Sequence, residues 1–317
     1  MKHIISLTLL FSLFLVSCDM ETVIDLDIPP HEPVLVLNGL LDTDTNARVV
    51  ISHSVGAFSN AVPSFINNAN VLLYKGNQFI DSLLPDMTNV VHVHYTDDNT
   101  DSSLPMYYYK TDYIPEKDAT YKVEVTHVDY TTISAETYIP NDIEVNIINI
   151  DTITNENKIG LEFDFQDDID QENFYRLKLY TSCEKKEGYR WRGHGIMMAN
   201  DPSFEESDAF EGLFSGYSFV GYEVVFNDNL FNGQKKKIFL DVKIGKDNDD
   251  FEFYQCDTIL IEFSTFSDDT YSYYSSLGDH SEKGELGIFG GEVIPVYSNV
   301  ENGLGVLISA NAQQIYL

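Results

Sequence analysis

The sequence predicts an all-β protein: an immunoglobulin-like or prealbumin-like sandwich, followed by a second antiparallel β domain with one short helix. Three observations predict it. Short runs rich in Val, Ile, Tyr, Phe and Thr recur, separated by Gly, Pro, Asn and Asp. Hydrophobic residues make up 43% of the 317 residues and aromatic residues 13%, which argues for a sizeable core and against disorder. Residues 120–127 alternate apolar and polar side chains, as a half-buried strand does.

The first residues have the pattern of a bacterial lipoprotein signal. After a single lysine, residues 4–16 form an apolar stretch of signal-peptide length, too short to span a membrane. Residues 15–18 then match a lipobox, in which small side chains fit the signal peptidase and the cysteine thiol accepts the lipid. We therefore expect residues 1–17 to be removed and Cys18 to carry the lipid. Residues 18–32 would form the acylated N-terminus and a linker. The alternative is an ordinary secretory signal with a chance cysteine.

The first predicted domain, residues 33–140, contains seven strand-like runs, the strand number of the simplest immunoglobulin-like sandwich. These runs are residues 33–41, 47–52, 69–75, 90–95, 106–110, 120–127 and 131–139. Pro140 begins a Pro-Asn-Asp sequence that favours a turn, and proline cannot donate to a strand ladder. The predicted domain boundary therefore lies at this proline.

The second predicted domain, residues 141–317, contains eight further strand candidates. They are residues 143–150, 158–165, 173–180, 222–226, 236–244, 258–266, 295–297 and 305–310. The Gly-rich stretch 188–221 is predicted to be mostly loop. A helix is predicted over 268–277, because Ser267 is a good N-cap, two aspartates follow it, and Gly278 suits a helix C-terminus.

The charge composition argues against two kinds of partner. The chain has 51 Asp and Glu residues against 19 Lys and Arg residues, a formal net charge of −32. Nucleic acids and anionic lipid surfaces are bound through clustered basic residues, so neither is an expected partner. A solvated acidic surface is the favoured interpretation, and attraction of cationic ligands is the alternative.

Two cysteines, Cys183 and Cys256, follow the lipobox cysteine. Export to an oxidising compartment would permit a disulfide between them. Two cysteines make no disulfide framework, however, and two buried thiols are the favoured alternative.

The candidate contact residues are Arg190, Trp191, Arg192 and His194. They include the only tryptophan and two arginines of a very acidic chain, within the stretch predicted to be loop. Tryptophan and arginine are enriched at binding hot spots, and loops often carry function. The alternative is a tryptophan packed on the core, with the arginines paired to local acids.

Metal and sugar sites have weaker candidates. His92 and His94 share one face of a predicted strand, as zinc ligands can, but no third ligand is adjacent and an exposed face is favoured. An acidic loop could hold calcium, but it lacks the EF-hand glycine and a solvated turn is favoured; its candidate ligands are Asp164, Asp167, Asp168 and Asp170. No cofactor is therefore expected. Six tyrosines could stack on sugars, although core packing is commoner; they are Tyr107, Tyr108, Tyr109, Tyr271, Tyr273 and Tyr274.

Several segments together resemble a known family. They are ETVIDLD (21–27) after the lipobox, QDDIDQE (166–172) before NFYRLKLY (173–180), NDNLFNGQ (227–234), and PVYSNVENGLGV (295–306) after the helix. In this order the chain is similar to an uncharacterised, domain-of-unknown-function family of Bacteroidota outer-membrane lipoproteins, often encoded beside TonB-dependent receptors. SNVENGLGV is the most specific segment, although a structural corner that feeds the last strand explains it without any function.

The resemblance implies a lipid-anchored accessory of an outer-membrane transporter. HExxH, GxSxG and P-loop motifs are absent from the sequence, so we expect a non-enzymatic protein. The expected function is nutrient capture or uptake with a TonB-dependent receptor, at the outer membrane and facing the cell exterior, with an unidentified ligand. The periplasmic leaflet is the alternative location. A structural or adhesive surface lipoprotein is the alternative function, and an unrecognised hydrolase is a third.

Overall fold

A computed structural model describes residues 31–56, 64–97, 100–153, 158–184, 190–204, 216–243, 255–284 and 295–317. Pro33–Leu317 forms one compact unit. The signal sequence and Cys18 lie outside the described residues, so their predicted roles stay predictions.

The first part of the chain consists of strands within the described ranges. They are β1 (Leu35–Asp42), β2 (Arg48–His53), β3 (Asn70–Lys75), β4 (Gln78–Pro85), β5 (Val91–Asp97), β6 (Thr100–Met106), β7 (Tyr108–Lys110), β8 (Ala119–His127) and β9 (Tyr130–Ile139). The alternation in β8 is confirmed, because Tyr121, Val123 and Val125 are fully buried. β4 and β6 have no counterpart among the predicted strands.

The remaining chain adds ten strands and the one helix that the structure describes. The strands are β10 (Val145–Ile153), β11 (Lys158–Gln166), β12 (Phe174–Glu184), β13 (Arg190–His194), β14 (Ile196–Ala199), β15 (Phe219–Gly221), β16 (Glu223–Asn227), β17 (Lys235–Lys243), β18 (Gln255–Phe266) and β19 (Leu304–Tyr316). The helix is α1 (Asp268–Gly284). The predicted all-β class with one short helix is confirmed.

The strands form three sheets. The long sheet has twelve strands in the order β13-β12-β18-β19-β1-β2-β7-β4-β3-β8-β9, with β16 also paired to β12. A five-stranded sheet has the order β10-β11-β17-β14-β15, and β5 with β6 makes a separate hairpin. Every pairing is antiparallel except that of β1 with β19, which joins the beginning of the described chain to its end.

The first hydrophobic core is formed mainly by strands of the long sheet, and Ile66 and Val300 join it from outside the strands. Leu37, Val49 and Ile51 from β1 and β2 belong to the same buried cluster as Val71 and Val123 from β3 and β8. Only two residue pairs join β4 to β7, so the sheet can bend there and place its two halves on opposite sides of the core. The result is a sandwich-like first half.

The second core lies between the five-stranded sheet and β12, β16 and β18 of the long sheet. Phe163 and Phe165 of β11 meet Tyr175 and Phe263 of the long sheet, with ring centroids 5.0–6.4 Å apart. Such tilted and edge-to-face aromatic pairs contribute beyond the area that they bury. Helix α1 covers the opposite face of the long sheet.

The helix begins as the sequence predicts but ends later. The Ser267 hydroxyl accepts a hydrogen bond from the Thr270 amide at 3.2 Å, which confirms the predicted N-cap. The helix continues past Gly278 to Gly284, since glycine inside a helix costs only about 1 kcal/mol. Residues 295–297 are not a strand. Tyr297 instead binds the helix, with its amide 2.8 Å from the Ser276 hydroxyl.

The stretch 188–221 differs most from its predicted loop, because it contains β13, β14 and β15. Gly195 lies between β13 in the long sheet and β14 in the five-stranded sheet. A Cβ atom at Gly195 would stand 2.7 Å from the Leu179 side chain, so only glycine fits this corner without a shift. Gly195 therefore looks like a loop residue in the sequence, but the structure requires a glycine there because the chain passes from one sheet to the other.

The SNVENGLGV segment forms the corner that feeds β19. The Asn299 side chain donates to the carbonyls of Glu136 and Leu307 at 2.9 and 2.8 Å, and accepts from the Leu307 amide at 2.9 Å. Asn302 has a positive φ of 58° and Gly305 one of 100°. These contacts support the structural interpretation of the segment.

Gly305→Ala should destabilise the protein strongly. A Cβ atom there would lie 2.1 Å from the Leu37 carbonyl oxygen, and the positive φ disfavours any other residue. We expect the free energy of unfolding to fall by about 3 kcal/mol or more in denaturant titration. Gly278→Ala is the control, since open space surrounds that helical glycine. It should be neutral or stabilising by up to about 1 kcal/mol. Equal losses in the two variants would contradict the close approach of β19 to β1.

Cys183 and Cys256 are predicted to form a disulfide when oxidised. The register of β12 and β18 places these residues opposite each other, beside an irregularity after Ser182. Paired residues of neighbouring antiparallel strands have Cα atoms about 4.5–5.5 Å apart, which lies within the Cα separation of about 4.4–6.8 Å found in disulfides. Oxidised glutathione should accept two electrons and two protons from the two thiols. A bond between Cys183 and Cys256 then forms, and two molecules of reduced glutathione are released. Peptide mapping without reductant should find the two peptides linked, while two alkylatable thiols after oxidation would contradict the prediction.

Candidate functional site

The predicted contact residues lie on an edge strand rather than in a loop. Arg190–His194 is β13, the outermost strand of the long sheet, and it pairs with β12 on one side only within the described ranges. A strand edge with unpaired backbone groups can accept a partner strand. The side chains of Arg190, Trp191, Arg192 and His194 lie outside the described part of the structure, so their contact role stays a prediction.

His92 and His94 lie on the exposed hairpin of β5 and β6. Both residues are exposed, and the residues opposite them are Pro105 and Ser103, neither of which is a strong metal ligand. Among the described residues, no three His, Cys, Asp or Glu side chains are grouped so that they could hold a metal ion. The positions of His92 and His94 therefore give no further support to the zinc hypothesis.

The acidic loop 166–172 is held by hydrogen bonds within the protein. The buried Asp167 accepts one from the Tyr175 hydroxyl and one from the Gly233 amide at 2.7 Å. Burial raises the pKa of Asp167 above its ordinary value, an effect that these two hydrogen bonds oppose and nearby Asp228 and Asp168 increase. The interior role of this carboxylate is a feature that the sequence did not reveal, since the residues around it are polar.

Three of the six candidate tyrosines have structural roles. Tyr109 is fully buried and its hydroxyl accepts a hydrogen bond from the Ala69 amide at 3.0 Å. Tyr271 stacks on Phe174 and Tyr274 on Phe266, with centroids 4.5 and 5.7 Å apart. These contacts support the core interpretation for Tyr109, Tyr271 and Tyr274.

Tyr108 and Tyr273 come together across an open groove on the outer face of the long sheet. This tyrosine groove has a volume of about 330 Å³. The main residues that line it are Asn38, Leu40, Arg48, Val50, Tyr108, Tyr273, Val306 and Ile308. The two tyrosines are 165 positions apart in the sequence, and only the fold makes them neighbours.

The floor of the tyrosine groove follows from the strand register. Val306 of β19 lies opposite Asn38 of β1, Asn38 lies opposite Val50 of β2, and Val50 lies opposite Tyr108 of β7. These four residues therefore form one cross-strand row on the same face. Helix α1 covers the neighbouring part of this face over β18 and β19, and Tyr273 projects from the helix to form one wall.

The tyrosine groove has few polar side chains, and they are Arg48, Asn38, the two tyrosines and, at the margin, Asp42. The Arg48 guanidinium lies over the Tyr108 ring, 4.9 Å from its centroid, and no carboxylate in the described ranges pairs with it. Neither the Tyr108 nor the Tyr273 hydroxyl has a hydrogen-bond partner among the described residues. Asp42, at the groove margin, already accepts hydrogen bonds from the amides of Asp44 and Thr45.

A second groove, of about 380 Å³, lies on the five-stranded sheet. This sheet groove is lined in part by Gly160, Glu162, Tyr217, Phe239 and Asp241. Three of its carboxylates are already engaged, because the Tyr217 hydroxyl donates to Asp241 and lysine ammonium groups lie 2.7 Å from Glu162 and from Asp201. The tyrosine groove is thus the better candidate for a ligand site, since its donors are available.

The family comparison extends over nearly all of the chain. Residues 21–315 match the family described as a domain of unknown function, DUF4249, and the chain belongs to this family. No protein with a curated function matches the sequence. Within the described residues, no helix has both the length and the apolar character needed to cross a membrane.

The buried Asp167 should give a specific pH dependence. Because its pKa is raised in the folded state, its contribution to stability is fully present below the ordinary value near 3.8 and is lost as the pH rises through the folded-state pKa. Asp167→Asn removes this titration. Denaturant titrations from pH 3 upward should therefore show the variant gaining stability relative to the native chain as the pH rises.

Asp86→Asn is the control, because its stability relative to the native chain should change with pH in the opposite direction. Lys110, followed by Thr88 and Asn89, lowers the pKa of Asp86, so its stabilising contribution is present above the ordinary value and is lost on acidification. This variant should lose stability relative to the native chain as the pH rises. The same pH trend in both variants would contradict the burial of Asp167.

Proposed function

We propose that this protein is a lipid-anchored outer-membrane lipoprotein that faces the cell exterior and acts, without catalysis, as an accessory to a TonB-dependent receptor in ligand capture. The observation that carries the proposal is the lipobox at residues 15–18, directly after an apolar segment of signal-peptide length. The resemblance to Bacteroidota lipoproteins encoded beside such receptors supports the receptor as the partner.

The physical mechanism is tethering. Lipid on Cys18 would confine the β domain to the membrane surface, while residues 19–32 would let it reach its partner. Confinement near the receptor raises the effective concentration of whatever the domain binds, without any new contact. Several acyl chains are needed for a stable anchor, since one chain holds a protein only marginally.

The geometry of the tyrosine groove suits capture and release. The groove is open along the outer face of the long sheet, and its floor of valines, isoleucine and leucine can take an apolar ligand face. Most ligand pockets combine such a floor with a few polar groups that fix orientation. Here Arg48 and the two tyrosine hydroxyls would fill that role. An open site binds with moderate affinity, which favours transfer to a receptor.

A structural or adhesive surface lipoprotein is the second candidate function. Its support is the architecture, since two β cores and an edge strand at Arg190–His194, paired on one side only within the described ranges, offer extended surfaces to other proteins. A small ligand raises the melting temperature of a protein that binds it, whereas an adhesin should not respond. A thermal-shift comparison therefore separates the two candidates.

Replacement of the lipidated cysteine tests the proposed anchor. Cys18→Ser removes the thiol, so the protein should leave the outer-membrane fraction, which immunoblotting of fractionated cells measures. Ser17→Ala is the control, because it keeps a small side chain before the cleavage site. Protease added to intact cells should degrade the native protein. Membrane retention of Cys18→Ser would contradict lipid anchoring, and protection from protease would assign the periplasmic leaflet.

Gentle solubilisation of the outer membrane tests the partner in the same strains. A TonB-dependent receptor should co-purify with the native chain in near-stoichiometric amount by mass spectrometry. Trp191→Ala should keep the lipid anchor and the melting temperature but lose much of the receptor. A large fall in melting temperature would instead favour a core role for Trp191. Recovery of the native chain without any receptor would favour the adhesive function.

A further inference from the structure

We propose that the tyrosine groove binds a small ligand that carries a carboxylate on a ring, with Arg48 as the carboxylate-binding residue. This inference rests on the proposed capture function and names the chemical class of its ligand. Arg48 is an electrostatic exception in this protein. The chain has 51 acidic and 19 basic residues, so most basic side chains can be expected to have an acidic neighbour.

Two other basic groups of the long sheet do pair with acids. The Arg176 guanidinium lies 3.1 Å from Glu262. Lys110, which faces Arg48 in the register of β2 and β7, lies 2.6 Å from Asp86. Arg48 instead lies against the Tyr108 ring and has no acidic partner in the described ranges. A guanidinium that lies over a ring can keep its N–H groups available to a ligand.

Arg48 is the one charged group of the groove without an acidic partner in the described ranges, and the Asn38 side chain on the floor offers both a donor and an acceptor. The guanidinium of Arg48 is a donor only, and the hydroxyls of Tyr108 and Tyr273 can donate because no described group accepts from them. The one carboxylate at the margin, Asp42, is engaged by backbone amides. A ligand that matches this arrangement presents acceptors, and a planar carboxylate fits the two parallel donors of an arginine.

The apolar groups of the groove indicate the rest of the ligand. Leu40 is 43% exposed on the floor, next to Val50, and two tyrosine rings stand at the sides. Tyrosine rings stack on the flat apolar face of a sugar or an aromatic ring. A volume of about 330 Å³ lies at the lower end of the range for small-molecule sites and admits one or two such rings. The net negative charge of the protein would repel an anion at long range, so recognition must come from close contacts at Arg48.

The test compares matched probes that differ only in the carboxylate group or its replacement. The full chain, purified in detergent, is titrated by calorimetry with glucuronate against glucose, and with benzoate against benzyl alcohol. At least one acid should bind, and it should bind more tightly than its neutral counterpart. Preference for glucuronate identifies a carboxylated sugar, and preference for benzoate identifies an aromatic acid.

Substitutions at Arg48 test whether the acid binds in the tyrosine groove. Arg48→Gln should weaken binding of the acid by about tenfold or more and leave binding of the neutral counterpart unchanged. Arg48→Lys keeps the charge but loses the paired donors, so its affinity should be intermediate. Lys75→Gln is the matched control, because it removes the same charge from an exposed ion pair on β3 and should not alter binding. Melting temperatures of all variants check that each remains folded.

Three results would overturn the proposal: no acid binds at millimolar concentration, acids and neutral counterparts bind equally, or Arg48→Gln and Lys75→Gln behave alike. These outcomes are separable from failure of the proposed function. Co-purification of the receptor with a chain that binds neither acid would overturn the ligand class alone. If the protein binds an acid, but the fractionation and co-purification experiments show no lipid anchor and no receptor, the accessory role alone is overturned.

Discussion

Strand β19 pairs with β1 and β18 at the same time, and both hydrophobic cores depend on this double pairing. The parallel partner β1 belongs to the first core, and the antiparallel partner β18 belongs to the second. One face of β19 serves both, because Leu307 lies in the first core and Ile315 packs against the second. Loss of β19 would therefore divide the long sheet and expose an edge in each half.

Between the two cores the same strand face is polar. Ser309 and Asn311 are buried there, and the Asn311 side chain donates to the Pro140 carbonyl at 3.1 Å and to Asp142 at 2.9 Å. The segment at Pro140, where the sequence predicts a domain boundary, is thus fixed to the last strand. Buried polar groups that are fully paired specify one arrangement more strictly than apolar contacts do, because an unpaired alternative costs their desolvation.

The outer face of the long sheet explains the position of the candidate site. Helix α1 is too short to cover this face completely, so it shields the β18 and β19 side and leaves the β1, β2 and β7 side open. Tyr273 on the flank of the helix and Tyr108 on the sheet mark the boundary between covered and open surface. The groove arises because the helix covers only part of this sheet face. Arg48, which has no acidic partner in the described ranges, lies in the part that the helix leaves open.

The sequence by itself determined the β class, the alternation of β8, the N-cap at Ser267 and the corner function of SNVENGLGV, since each depends on local backbone geometry or on a period of two. It also determined the lipobox pattern on which the proposed anchor rests. Only the tertiary structure decided that residues 188–221 contain strands, that Asp167 is buried, and that Cys183 is paired with Cys256 in the register of β12 and β18. The tertiary structure alone also brings Arg48, Tyr108 and Tyr273 to one groove. These features depend on contacts between residues far apart in the chain, and no local pattern encodes which distant strands will pair.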